Sequence, residues 1–272
     1  MIRVEETGGW LLVSHRDHAR LAGELARHWN NGEFAPPEPL ADILVAVARH
    51  DDAWAERDEA PELTPEGRPA AISHEFVGSY HAPENPDLAG SLAMRGRATE
   101  AIAAENPYAA IIVSMHTVNL LAGPADSTGT AAADQARLRD FVAAQQARQQ
   151  ELAAAVAAMP GRAAEVEPAR LQRACEFLEA CDSLSLIACA RHPKAAPLQH
   201  EHPRRQGAPT ALDCLPLDHD TYRVAPYPFD ADQLNFDVPC RRVRGELFAD
   251  LNAFRAAFAA APVEYLTIHL MR

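Results

Sequence analysis

The apolar positions of this chain follow two rhythms, and the rhythm changes along its length. Two short alternating runs, residues 3–5 and 10–13, flank Thr7, Gly8 and Gly9, which predicts a hairpin. From Ser14 the period lengthens to that of a helix. The stretch S-H-R-D reads as a capping box with Asp17 at its fourth position, and His18, Leu21, Ala22, Leu25 and Trp29 then share one face to about residue 30. After a Pro-rich joint (Pro36, Pro37, Pro39), a second helix is expected over 40–54. Its stripe of Ile43, Leu44 and Val47 is continued by His50 and Asp51. Residues 58–86 hold five prolines and read as a long ordered loop. Helical spacing resumes over 87–105 and 107–121, then over 131–159 and 167–191. The helix at 131–159 is polar on most sides and is expected on the surface; Pro160-Gly161 and Pro193 supply the stops. From residue 192 to 239 the chain is rich in Pro, His and Asp, with strand-like runs at 221–225 and 234–238. A helix at 246–260 and a strand at 263–270 close it. The expected fold is a single domain over 1–272, mainly α, with a helical core over about 14–191. A small sheet joins the N-terminal hairpin, 1–13, to the strands of a β-rich extension over about 210–272, making the whole α+β.

Composition narrows the function classes. With 48% hydrophobic residues among 272, a sizeable core is within reach. The net charge of −13 argues against a general nucleic-acid binder, which needs a basic face. Lys194 is the single lysine among 25 cationic residues. The opening MIRVEETGGW carries acids where a signal peptide would be basic and apolar, and no apolar run approaches the ~20 residues that span a bilayer. The five cysteines are odd in number and form no C-x-x-C pair, so they read as buried thiols and the expected compartment is the cytoplasm.

The chemistry lies where ionisable groups interrupt apolar stripes. His18, with His15 one turn earlier, sits on the apolar face of the first helix, and His50-Asp51 on that of the second. His116 comes after Ile112 and Val113. On the helix from 167 the stripe runs Leu171, Cys175, Leu178, Asp182, Ser185, Leu186, Cys189, so Asp182 falls amid residues that should be buried. A buried carboxylate without a partner costs several kcal/mol, so it must find a cation, a proton or a metal. Singly, each position has an ordinary explanation: a hydrogen-bonded core histidine, or an aspartate paired with arginine. Together they describe nitrogen and oxygen donors converging from four helices, a set suited to a divalent ion such as zinc, manganese or iron. Asp52, Trp54 and Asp58 lie just beyond the His-Asp pair and are candidate pocket residues. Arg16 and Arg57 are candidates to grip an anion. Weaker signals are His200-Glu201-His202, which reads as a solvated Pro-rich loop, Asp218-His219-Asp220, and the basic cluster Arg241, Arg242 and Arg244. There is no P-loop, G-x-G-x-x-G, G-x-S-x-G or H-E-x-x-H.

An early histidine, a His-Asp pair about thirty residues on and a distant aspartate in a late helix resemble the HD-domain superfamily of metal-dependent phosphohydrolases, over about residues 14–190. The resemblance implies an HD-like helical bundle with His18, His50, Asp51 and Asp182 as metal ligands. It places His116, His74 or His81 near a second ion, and leaves His15 as an additional histidine beside the first ligand. The segments HRDH, HDDAW, SMHTVNL and CDSLSL also resemble a family of uncharacterised bacterial proteins. The implied activity is hydrolysis of a small phosphate ester, a nucleotide or phosphometabolite, with His15 or His116 at a second ion or acting as general acid. Two other readings stay open: an HD-type di-iron oxygenase, and a non-catalytic sensor or scaffold stabilised by its metal. The expected partner is a small anionic molecule, with no membrane. The polar long helix or the late sheet could each serve a homodimer interface.

Overall fold

A computed structural model describes residues 1–73, 87–126 and 131–272 of the chain. The expected bundle with a small sheet gives way to an α+β architecture around a seven-stranded mixed sheet. Strands β1 (Ile2–Glu6) and β2 (Gly9–Val13) form the N-terminal hairpin, with Ile2 opposite Val13 and Glu5 opposite Trp10. The later strands are β3 (Ala196–Pro197), β4 (Asp213–Pro216), β5 (Thr221–Ala225), β6 (Gln233–Arg244) and β7 (Val263–Met271), in the order β1-β2-β6-β7-β5-β4-β3. Pairing is antiparallel except between β5 and β7.

The larger sheet has an identifiable cause. β6 runs for twelve residues, where alternation marked only 234–238, because Pro239 and the arginines beyond it masked the rest. Pro239 lies opposite Tyr265 on β7, and the strand continues through Arg241 and Arg242 to pair with Leu12 and Leu11. The long strand therefore joins the two ends of the chain into one sheet. Gly9 makes the tightest part of that seam possible, since a Cβ there would lie 2.2 Å from the Val243 carbonyl oxygen.

Alternation along β2 and β6 sorts side chains onto two faces. Leu11, Val13, Leu234, Val238 and Cys240 face the main core, joined by Leu266, Ile268 and Leu270 of β7. Trp10, Leu12 and Val243 face the other way, onto Phe254 of α8 (Leu251–Ala260), which Asp250 caps.

Helices α1 (His15–His28), α2 (Leu40–Arg49), α5 (Pro107–Asp126) and α7 (Pro168–Cys189) share the main core with this face of the sheet. Ser14 caps α1 by accepting a hydrogen bond from the Asp17 amide at 3.0 Å. Gly23 lets α1 approach α2 closely: a Cβ there would stand 2.8 Å from the Ala48 Cβ. The expected helix over 40–54 breaks after Arg49 into a 3-10 turn, Asp52–Trp54, and the short α3 (Ala55–Glu59), so His50 and Asp51 stand at a helix end. Helices α4 (Leu88–Glu105) and α6 (Ala132–Ala157) pack outside α5. Trp29 anchors the core against the rings of Phe34, Phe177, His202 and Phe229. All five cysteines are free and buried. Among the described residues no helix is long and apolar enough to cross a membrane.

Candidate metal centre

Four elements deliver ionisable groups to one point between the helices. The stripe of α1 carries His18, and the close α1–α2 crossing sets it beside His50, with ring centroids 5.3 Å apart. The break after α2 turns Asp51 inward, and its Oδ2 lies 2.9 Å from His18 Nε2. Helix α7 adds Asp182, with Oδ1 3.2 Å from His50 Nε2 and 3.8 Å from His18 Nδ1. His116 of α5 completes the group, its Nε2 3.8 Å from Asp182 Oδ2 and its ring 5.5 Å from that of His50. Two donor triplets, His18–His50–Asp51 and His50–His116–Asp182, each lie within 4.8 Å and share His50.

The second layer of contacts orients these rings. His50 Nδ1 donates to the Val47 carbonyl at 2.8 Å, which turns Nε2 toward Asp182. Ser185, whose hydroxyl donates to the Asp182 carbonyl, lies 3.0 Å from His18 Nδ1. Glu179, one turn before Asp182, reaches His116 Nδ1 at 3.4 Å, Asn119 Nδ2 at 2.8 Å and His200 Nε2 at 2.5 Å.

Two atoms at the centre are left over. His50 Nε2 and Asp182 Oδ1 are buried and neither has a hydrogen-bond partner, although they stand 3.2 Å apart. Buried polar atoms are ordinarily satisfied, so an orphaned pair in the middle of a donor cluster fits a cation site. The charges agree. Burial works against charge on His50, but the Asp182 and Asp51 carboxylates raise its pKa to about 9. Burial likewise opposes charge on the two acids, yet the neighbouring imidazoles hold Asp182 below its usual value and Asp51 well below. The cluster is thus an anionic pocket that favours a proton on His50 and could hold a metal ion.

The remaining candidates divide. His15 points away from the donors: its Nδ1 meets Asp58 Oδ1 at 2.9 Å and the Met1 amine at 2.6 Å, and its ring stacks on Trp54 with centroids 5.1 Å apart. Burial pushes the His15 pKa down, and the Met1 amine adds to this. Asp58, despite burial, is held below the usual carboxylate range by His15 and that amine. Asp52 pairs with Arg49 at 2.7 Å and lies 3.9 Å from Arg16. Arg16 and Asp58 line a separate cleft of about 770 Å³ beside the sheet, with Arg20, Arg241 and Arg255. Arg57 lies over the Trp54 ring. His74 and His81 fall outside the described residues.

Sequence reasoning missed Glu179, Asn119 and His200. Glu179 had a signal, standing three residues before Asp182 on the same helix. His200 had none. The His200-Glu201-His202 segment is a loop that is solvated only in part: His200 and Glu201 are exposed, but His200 bonds Glu179 and His202 is buried against Trp29. The outer motifs are structural. Asp220 takes two hydrogen bonds from Arg191, and Arg242 pairs with Glu6 and Glu264.

A family model described as "Protein of unknown function (DUF3891)" matches residues 1–245, most of the chain and every residue of the cluster. The chain belongs to the DUF3891 family. The HD-domain resemblance is corrected by this match and by the architecture: this DUF3891 member is built on a seven-stranded mixed sheet with helices, not as an HD-type helical bundle. No curated protein and no solved structure matches it.

Proposed function

We propose that this protein is a metal-dependent hydrolase of a small phosphate ester, with His18, His50, Asp51 and Asp182 holding a divalent ion. The observation that carries this reading is the orphaned pair His50 Nε2 and Asp182 Oδ1 at the centre of the donor cluster. Nitrogen and carboxylate donors in this mixture suit zinc, manganese or iron. A bound ion would supply positive charge that lowers the pKa of water towards ~7 and offsets charge on the phosphate.

The protein's own groups supply the rest. Asp51 and Asp182 are the members of the cluster that reach the surface, each about one-seventh exposed against 1% for His18 and His50, so substrate would approach past them. Glu179 accepts from His116 Nδ1, which leaves His116 Nε2 facing Asp182 and able to carry a proton. In hydrolysis the water oxygen bonds to phosphorus, the ester P–O bond breaks, and His116 delivers its proton to the departing oxygen. Burial opposes charge on Glu179, yet His116, Asn119 and His200 bring its pKa down to about 2, so it stays anionic and is suited to steady His116 through the cycle.

The test is elemental analysis by plasma mass spectrometry on protein purified without chelators, beside His50→Ala and Asp182→Ala, and then a phosphate-ester panel. Near-stoichiometric metal in the wild type, lost in both folded variants along with turnover, is the expected result. No metal after reconstitution would reduce the cluster to a structural ion network and end the enzyme reading.

A further inference from the structure

Helix α4 contributes an arginine that the charge pattern leaves over. Arg49, Arg162 and Arg191, each partly buried, hold two carboxylates apiece: Asp52 and Glu105, Asp42 and Glu165, and Asp220 and Glu6. Arg95 is also partly buried, yet among the described residues its guanidinium has no carboxylate partner. In a chain with 38 acidic and 25 basic residues, a half-buried cation without an acid is a departure. Its contact is aromatic: the guanidinium carbon lies 5.0 Å from the centre of the Trp54 ring. Arg57 stands over the same ring at 5.5 Å.

Trp54 ties this pair of cations to the metal centre. Its ring stacks with His15, whose own ring is 6.1 Å from that of His18. The 3-10 turn that carries Trp54 begins directly after Asp51. Burial lowers the Arg95 pKa, with Asp51 as the opposing charge that supports the cation and Arg57 as the neighbour that adds to the strain. A guanidinium remains charged at any working pH, so burial costs free energy that an incoming anion would recover. An anion bound at Arg95 would offset part of the like charge that Arg57 sets against it. The planar fork of arginine matches two oxygens of a phosphate.

The geometry points to Arg95 as the phosphate-binding residue of this protein, working with Arg57 against the Trp54 ring to hold the dianion of a small phosphate monoester beside the His/Asp cluster. This rests on the hydrolase reading for what happens to the ester, but not for the binding of phosphate itself. Arg16, by contrast, faces the separate cleft and takes no part.

The experiment is calorimetric titration of the full chain with inorganic phosphate, with and without reconstituted metal, for wild type, Arg95→Gln and Arg95→Lys. Metal content and melting temperature are measured on each sample. Arg95→Gln should retain its metal content and fold while its phosphate Kd rises by about tenfold or more, the loss expected for a charge-assisted hydrogen bond. Arg95→Lys should recover part of that loss, since it restores charge without the fork. Acetate, a monoanion, should show no comparable dependence on Arg95. If no metal binds, the hydrolase reading fails alone, and an Arg95-dependent phosphate affinity in metal-free protein still supports the site. Equal phosphate affinity in wild type and Arg95→Gln, or no phosphate binding by the wild type in either state, overturns it.

Discussion

Replacing Asp182 with asparagine removes the charge that does most to keep the His50 ring protonated in metal-free protein. The His50 side chain is 1% exposed, with Asp182 at 3.2 Å and Asp51 at 3.9 Å. At an effective dielectric of about 20, unit charges at the shorter separation attract by about 5 kcal/mol, and burying them costs several kcal/mol in return. The rise of the His50 pKa from 6.5 to about 9 is what survives, about 3 kcal/mol net from Asp182 first, then Asp51 and the Val47 carbonyl. The lowered pKa of Asp182 reports the same pair from its other side and is not added. Because the folded pKa of His50 lies above its unfolded value, this stability is fully present below pH 6.5 and is lost as pH rises through about 9.

The assay is an NMR titration of the imidazole carbon-bound protons in chelator-treated protein, with His50 assigned by its loss in His50→Gln. Urea unfolding at about pH 6 and about pH 9 accompanies it. The wild-type ring should titrate near 9. In Asp182→Asn, where only the more distant Asp51 remains, the midpoint should fall by at least about one pH unit, and the loss of stability over that range should flatten. A wild-type midpoint at or below 6.5, or one that Asp182→Asn leaves in place, would refute the anionic-pocket description of the site and with it the argument for a cation there.

Three further outcomes bear on the fold and on access. Trp29→Ala deletes the ring packed among Phe34, Phe177 and Phe229 and should cost about 3–5 kcal/mol by chemical denaturation; under about 1 kcal/mol would mean that the core closes over the gap. Gly9→Ala puts a Cβ against the Val243 carbonyl and should lower the melting temperature by several degrees, whereas an unchanged value would show that the β2–β6 seam yields freely. Metal loading should increase as pH rises towards about 9, because the ion must displace the proton on His50; loading that is flat across that range would contradict the raised pKa.

The donors were legible because each breaks an apolar stripe, and a break in a stripe is local. His18, His50, His116 and Asp182 could be placed on buried faces from helical spacing alone, and the structure buries His18, His50 and His116. The sheet was less legible. β3 is two residues long and β4 four, in a segment crowded with proline and histidine, and β6 carries a proline and three arginines in its second half. A strand whose polar residues find partners across the sheet, as Arg242 finds Glu6 and Glu264, loses the alternation by which strands are recognised.

Glu179 and Arg95 mark the boundary between what spacing can and cannot supply. Along α7, Cys175, Glu179 and Asp182 are spaced to share one face, so two acids under cover announce a demand for cations or donors. Which groups answer depends on contacts that no local pattern contains: Asn119 comes from α5 and His200 from a turn with φ of 69°. Arg95 presents the converse. On a helix an arginine is ordinary in sequence, and it becomes informative only when the fold shows that no acid among the described residues pairs with it while a tryptophan meets it. A demand for charge can therefore be read from one helix. A surplus of charge is visible only against everything packed around it.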